Sequence, residues 1–132
     1  MATKKPQEKK PYCITFQPRG GYLHVYVSGE EDNEEISLAY WIDIAQYCRE
    51  HGVSKILVEE DFKMDNTLLG TYEFISQGDV SDFSKVKIAF VDRHPEQAST
   101  NLFGETVAQN RGISVKIFPD IQEAEKWLLS DF

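Results

Sequence analysis

Residues 53–75 set the terms for any fold of this chain, because they place a strand-type run directly before a helix-type one. Ile56-Leu57-Val58 is a short apolar run bounded by Gly52 and by the acidic trio Glu59-Glu60-Asp61. A run that short, rich in β-branched residues, predicts a buried strand rather than a helix. Leu68, Leu69, Tyr72 and Ile75 then recur at the spacing of one helix face. Between them lies a polar turn, Lys63-Met64-Asp65-Asn66-Thr67, whose Asp, Asn and Thr are all good caps for a helix N-terminus. A strand that leads into a helix implies a crossover to a parallel neighbour. In open sheets of that kind, sites form beyond the carboxyl ends of the strands. The 63–67 turn is therefore the first place to look for function.

The rest of the chain repeats the alternation. Residues 12–17 and 22–28 are two β-rich runs joined by Pro18-Arg19-Gly20-Gly21, which predicts a hairpin. In the second run Tyr22, His24 and Tyr26 alternate with Leu23, Val25 and Val27, so that strand presents two different faces. The acidic stretch 30–35 leads into a helix whose dipole favours negative charge at its start, with Asp32 or Asn33 as cap. Leu38, Trp41, Ile42, Ala45 and Cys48 form the expected apolar stripe, closed by Gly52.

Residues 79–84 read as a polar connection and 86–91 as the next strand, ending in Asp92-Arg93-His94-Pro95. Pro95 and Glu96 suit a helix start, Leu102, Phe103, Val107 and Ala108 supply its apolar surface, and Arg111-Gly112 suit its end. Residues 113–118 alternate as a last strand. Asp120 and Glu123 then form an approximate capping box for a closing helix docked by Ile121, Ala124, Trp127 and Leu128. The predicted order is β-β-α-β-α-β-α-β-α. It implies one two-layer α/β domain with a mainly parallel sheet, an N-terminal hairpin and helices over one principal face.

With 132 residues, of which 41% are hydrophobic, one core and one domain are expected over 12–132. Residues 1–11, MATKKPQEKKP, are basic and polar and are expected to form a flexible tail. A net charge of −8 argues against a nucleic-acid partner, which calls for a basic footprint. No glycine-rich phosphate loop follows any expected strand, so no nucleotide cofactor is expected. Cys13 and Cys48 match no metal spacing and are expected to be reduced core residues. His24 has no partner at ligand spacing and is expected at one of the more exposed positions. Nor is the acidic stretch spaced as a calcium loop, so no metal is expected. No apolar run approaches the ~18 residues of a membrane span, and the first residues lack the apolar core of a signal peptide. A cytoplasmic protein is the resulting expectation.

Three local patterns carry a family resemblance over about residues 12–130. The hairpin, followed by Val27-Ser28-Gly29-Glu30, an acidic lead-in and a long helix, resembles the start of STAS domains, the family of SpoIIAA-type anti-sigma-factor antagonists. Lys55-Ile56-Leu57-Val58 through Met64-Asp65-Asn66-Thr67-Leu68-Leu69 is similar to that family's strand-to-helix segment, which usually ends Asp-Ser-Ser/Thr-Gly-Leu. The half from Phe90-Val91-Asp92 through 101–112 to Glu123-Ala124-Glu125-Lys126-Trp127-Leu128 looks like the SpoIIAA-like branch, often described together with the CRAL-TRIO lipid-binding fold.

By that resemblance Asp65 and Asn66 precede a phosphoacceptor at Thr67, with Leu68 standing where the family has glycine and Asn66 where it has serine. A regulatory protein partner would then meet the turn together with Asp61, Lys63, Leu68 and Leu69. A small apolar ligand among Leu68, Leu69, Tyr72, Phe103 and Val107 is the alternative that the resemblance implies. An enzyme built on Glu59, Asp61, Asp92 and His94 is a third possibility, but no nucleophile, base and orienting group can be picked out together. A non-enzymatic interaction module is expected.

Overall fold

A computed structural model of the chain describes residues 11–32, 34–65, 85–93 and 114–130. The described elements are β1 (Cys13–Arg19), β2 (Tyr22–Asp32), α1 (Glu34–His51), β3 (Lys55–Asp65), β4 (Lys87–Asp92), β5 (Ser114–Phe118) and α2 (Ile121–Leu128). The two helices expected within 68–75 and 95–111 lie outside the described residues. The strands form one five-stranded sheet in the order β1-β2-β3-β4-β5. β1 and β2 run antiparallel, and β2, β3, β4 and β5 are all parallel. The α/β class, the leading hairpin and the mainly parallel sheet are thus as expected.

The hairpin is closed by Arg19 opposite Tyr22, leaving a two-residue Gly20-Gly21 turn. Gly21 has φ +96, a backbone conformation that favours glycine. At the far end of α1, Gly52 has φ +63 and the Val53 amide donates to the Cys48 carbonyl over 3.1 Å. That is the 6→1 bond of a glycine-terminated helix. α2 starts where expected: the Asp120 carboxylate accepts from the Glu123 amide at 2.9 Å.

Two strands are longer than the expected ones. β2 continues beyond Ser28 to Asp32, and β3 continues beyond Val58 to Asp65, with Glu31 opposite Met64 and Asp32 opposite Asp65. Lys63, Met64 and Asp65 therefore belong to β3, not to a turn, and Glu30–Asp32 are strand rather than a helix lead-in. The acidic residues mislead because charged runs usually mark loops. Here alternation along β3 still sends every second residue inward, so Phe62 is fully buried although acidic side chains precede it.

Alternation also divides the core. Val25, Val27, Ile56, Val58, Phe62, Ile88 and Phe90 face α1, and the neighbouring Tyr22, Leu57, Ala89 and Val91 face α2 on the other side of the sheet. The long helix covers one face and α2 part of the opposite one, so the two described helices do not share the single principal face that was expected. Cys48 lies in the core, whereas Cys13, expected there too, is exposed on β1.

The expected apolar stripe of α1 is displaced around the helix. Ile36, Tyr40, Ile44, Ala45 and Cys48 are buried, while Leu38 is 42% exposed, Ile42 is 52% exposed and Trp41 is half-buried. The reason is Tyr40. Its hydroxyl finds a buried acceptor, so its ring can occupy the centre of the helix–sheet interface that a strictly apolar count leaves to Trp41. Burial to that degree lowers the stake at Trp41: Trp41→Ala is expected to cost about 1–2 kcal/mol in urea melts, against the ~3–5 of a fully buried aromatic. A loss at the upper figure would place Trp41 in the core.

Candidate functional site

The side chains of interest run along β2 and the middle of β3, on the face opposite α1. Position parity puts Tyr22, His24, Tyr26 and Glu30 of β2 on that face with Glu59, Asp61 and Lys63 of β3. The result is a ladder of polar cross-strand pairs. His24 Nε2 meets Glu59 Oε1 at 3.0 Å, the Tyr26 hydroxyl donates to Asp61 Oδ2 at 2.6 Å, and Lys63 Nζ donates to Glu30 Oε1 at 3.2 Å.

Glu59 is the centre of the ladder, with only 4% of its side chain exposed. Its second oxygen, Oε2, accepts from Arg93 Nη1 at 2.7 Å. Arg93 follows β4 directly, and its amide extends the β3–β4 ladder by donating to the Glu60 carbonyl at 2.9 Å. Glu59 keeps the Arg93 guanidinium even more firmly protonated than usual, through the hydrogen bond first and Coulomb attraction second. On the other side, Arg19 Nη2 lies 3.0 Å from His24 Nδ1 and also bonds Gln17. Arginine can only donate, so His24 Nδ1 accepts and Nε2 carries the proton given to Glu59. Both bonds exist together only for the neutral imidazole in that tautomer. Arg19, His24, Glu59 and Arg93, from four parts of the sheet, thereby form one continuous row.

The adjacent Glu60 points to the other face, where the Tyr40 hydroxyl donates to its Oε2 at 2.6 Å in the buried interior. Consecutive glutamates therefore tie the sheet to partners on its two opposite faces.

The same device, a tyrosine donating to a carboxylate, recurs at Tyr12–Asp43 (2.5 Å) and Tyr22–Glu125 (2.8 Å). It holds the Tyr12 and Tyr22 hydroxyls above their ordinary value of 10.0, through burial first and the hydrogen bond second. For Tyr26 the bond to Asp61 is the larger cause and burial the smaller. These protons are held more tightly in the folded state than in the unfolded one. Their contribution to stability is therefore complete below the unfolded value and is lost as pH rises through the raised folded values. An ultraviolet phenolate titration of the six tyrosines is expected to split. Tyr12, Tyr22 and Tyr26 should ionise late, together with loss of the circular-dichroism signal. Ionisation of all six in one ordinary step would contradict these pairings.

Of the residues the sequence singled out, Asp61 is half-buried under Tyr26, Lys63 is exposed beside Glu30, and Asp65 closes β3 opposite Asp32. Asn66, Thr67, Leu68, Leu69, Tyr72, His94, Phe103 and Val107 lie outside the described residues. So does the apolar pocket that five of them were expected to form. Asp92 closes β4 opposite Glu60. His24, expected at an exposed position, has 12% of its side chain exposed and bonds at both ring nitrogens.

Arg19, Tyr26 and Arg93 carry no sequence motif. The usable signal was parity: polar residues at every second place on β2 and on β3 fall on one face once the two strands are known to be parallel neighbours. Among the described residues no three His, Cys, Asp or Glu side chains group in a way that could hold a metal ion. Among the same residues no helix is long and apolar enough to cross a membrane. No family model matches the chain, and no curated protein matches it either.

Proposed function

We propose that the chain is a non-enzymatic regulatory module of the STAS, SpoIIAA-like type. It binds another protein through the segment that begins at Asp65 and continues as Asn66-Thr67, together with Asp61, Lys63, Leu68 and Leu69. The observation that carries this reading is the reach of β3. Its pairing with β4 ends at Glu60 opposite Asp92, yet it continues five residues further, from Asp61 to Asp65, beside β2. β3 thus carries Asp65, the residue that precedes Asn66-Thr67 in the sequence, beyond the end of β4 and away from the Glu59 cluster.

The cluster itself supports a non-catalytic reading. Both nitrogens of His24 and both oxygens of Glu59 are engaged by neighbouring protein groups, so neither presents an idle base to a substrate. Its task is to hold β1 to β4 in register beneath the binding end.

Thr67 is the regulatory residue in this reading, because phosphate would add a charge of about −1.5 to −2 at the contact. The protein recovered with the wild type from native lysate should bind Thr67→Ala equally well and Thr67→Glu at least about tenfold more weakly, since the fixed charge imitates part of the phosphate. Thermal melts of Thr67→Glu should match the wild type. Equal affinities for all three forms would remove Thr67 as a switch.

A further inference from the structure

We infer that α1 is a self-association surface, through which two copies of the chain meet helix to helix, antiparallel, about a two-fold axis beside Ile42. This rests on α1 alone and is independent of the reading of Thr67. The outward side of α1 carries Leu38 and Ile42, one turn apart and 42% and 52% exposed, although the opposite side of the same helix already supplies the core with Ile36, Tyr40, Ile44 and Cys48. Neither Leu38 nor Ile42 belongs to a core cluster of the described residues, so this second apolar side of α1 is left over from their packing.

The residues flanking this apolar step say what covers it. Glu35 stands seven positions before Ile42 and Arg49 seven positions after it, and both are exposed. Seven residues are almost two full turns, so Glu35, Leu38, Ile42 and Arg49 share one stripe that is acidic at its start and basic at its end. A two-fold interface requires a patch that is its own complement. Antiparallel pairing centred on Ile42 meets that condition: Glu35 of each copy faces Arg49 of the other, and Ile42 meets Ile42. Parallel pairing would set Glu35 against Glu35 and Arg49 against Arg49. A different protein would have to reproduce the same charge reversal at the same spacing, whereas a second copy carries it already.

α1 has 18 residues and is about 27 Å long, so contact along this helix alone falls below the ~1,200 Å² of a standard interface. A concentration-dependent dimer follows, not an obligate one.

Sedimentation equilibrium of the full chain over micromolar to millimolar concentrations tests this. The wild type should show a reversible monomer–dimer equilibrium. Ile42→Asp, at the axis, should raise the dimer dissociation constant at least about a hundredfold. Glu35→Arg and Arg49→Glu should each weaken the dimer roughly tenfold, and combining them should restore it, because the reversed pairs are again complementary. Melting temperatures should stay close to wild type for Ile42→Asp and Glu35→Arg, since these positions are exposed, which separates loss of the dimer from loss of the fold. A wild type that stays monomeric throughout overturns the inference. So does a dimer indifferent to Ile42→Asp, or a double reversal no tighter than either single one.

Discussion

Replacing Phe62 with alanine is expected to cost the domain about 3–5 kcal/mol, the largest effect of any single truncation proposed here. Phe62 is fully buried, and its ring lies 5.9 Å from that of Tyr40 in a near-stacked arrangement. It also sits directly over Gly29, its partner in the β2–β3 register. A Cβ on Gly29 would come 2.8 Å from Phe62 Cε1 and 3.1 Å from the Pro11 carbonyl oxygen. Gly29→Ala should therefore cost about 1–3 kcal/mol through crowding. The two changes should be strongly coupled, because removing the ring creates the room that the added methyl needs. In the Phe62→Ala background, Gly29→Ala should cost markedly less than alone. Urea denaturation of the two single variants and the double variant measures this, and strict additivity would show that Gly29 is not held open for the ring.

Tyr40→Phe is expected to cost about 2–3 kcal/mol, although it removes a single oxygen atom. The Tyr40 hydroxyl donates to Glu60 over 2.6 Å in the interior, where both residues are almost fully buried. Losing that donor leaves a buried carboxylate less well compensated, and the low-dielectric surroundings make this costly. Glu60→Gln removes the charge and so most of the demand for compensation. Tyr40→Phe should accordingly be milder in the Glu60→Gln background than in the wild type. Equal costs in both backgrounds would mean that the ring's fit, not the pair, fixes the importance of Tyr40.

Class and strand direction were legible in the sequence because short β-branched runs such as Ile56-Leu57-Val58 alternate with helical spacing. The hairpin and the cap of α2 were legible because Gly20-Gly21 and Asp120 act locally. The extents of β2 and β3 were not legible. Glu30–Asp32 and Glu59–Asp61 look like loop composition, and what makes them tolerable in strands is a set of distant partners: His24 for Glu59, Tyr40 for Glu60 and Tyr26 for Asp61. Those partners lie 35, 20 and 35 residues away along the chain, and only the β2–β3 register and the packing of α1 on the sheet bring them together. The phase of α1 failed for the same reason, since Tyr40 reads as core only when Glu60 is known to stand beneath it. Of the candidate site, the parity of Asp61 and Lys63 is settled by β3.

The succession of strands across the sheet, identical to their succession along the chain, bears on how the molecule is made. Every described strand after the first lies beside the described strand synthesised before it. No gap between two earlier strands has to be held open for a later one, as it must be in sheets whose strand order is shuffled. An emerging chain can therefore add each strand to an edge that already exists, starting from a hairpin whose pairing is local. The ionic row then registers progress: His24 gains Glu59 when β3 arrives, and Glu59 gains Arg93 only when β4 has docked.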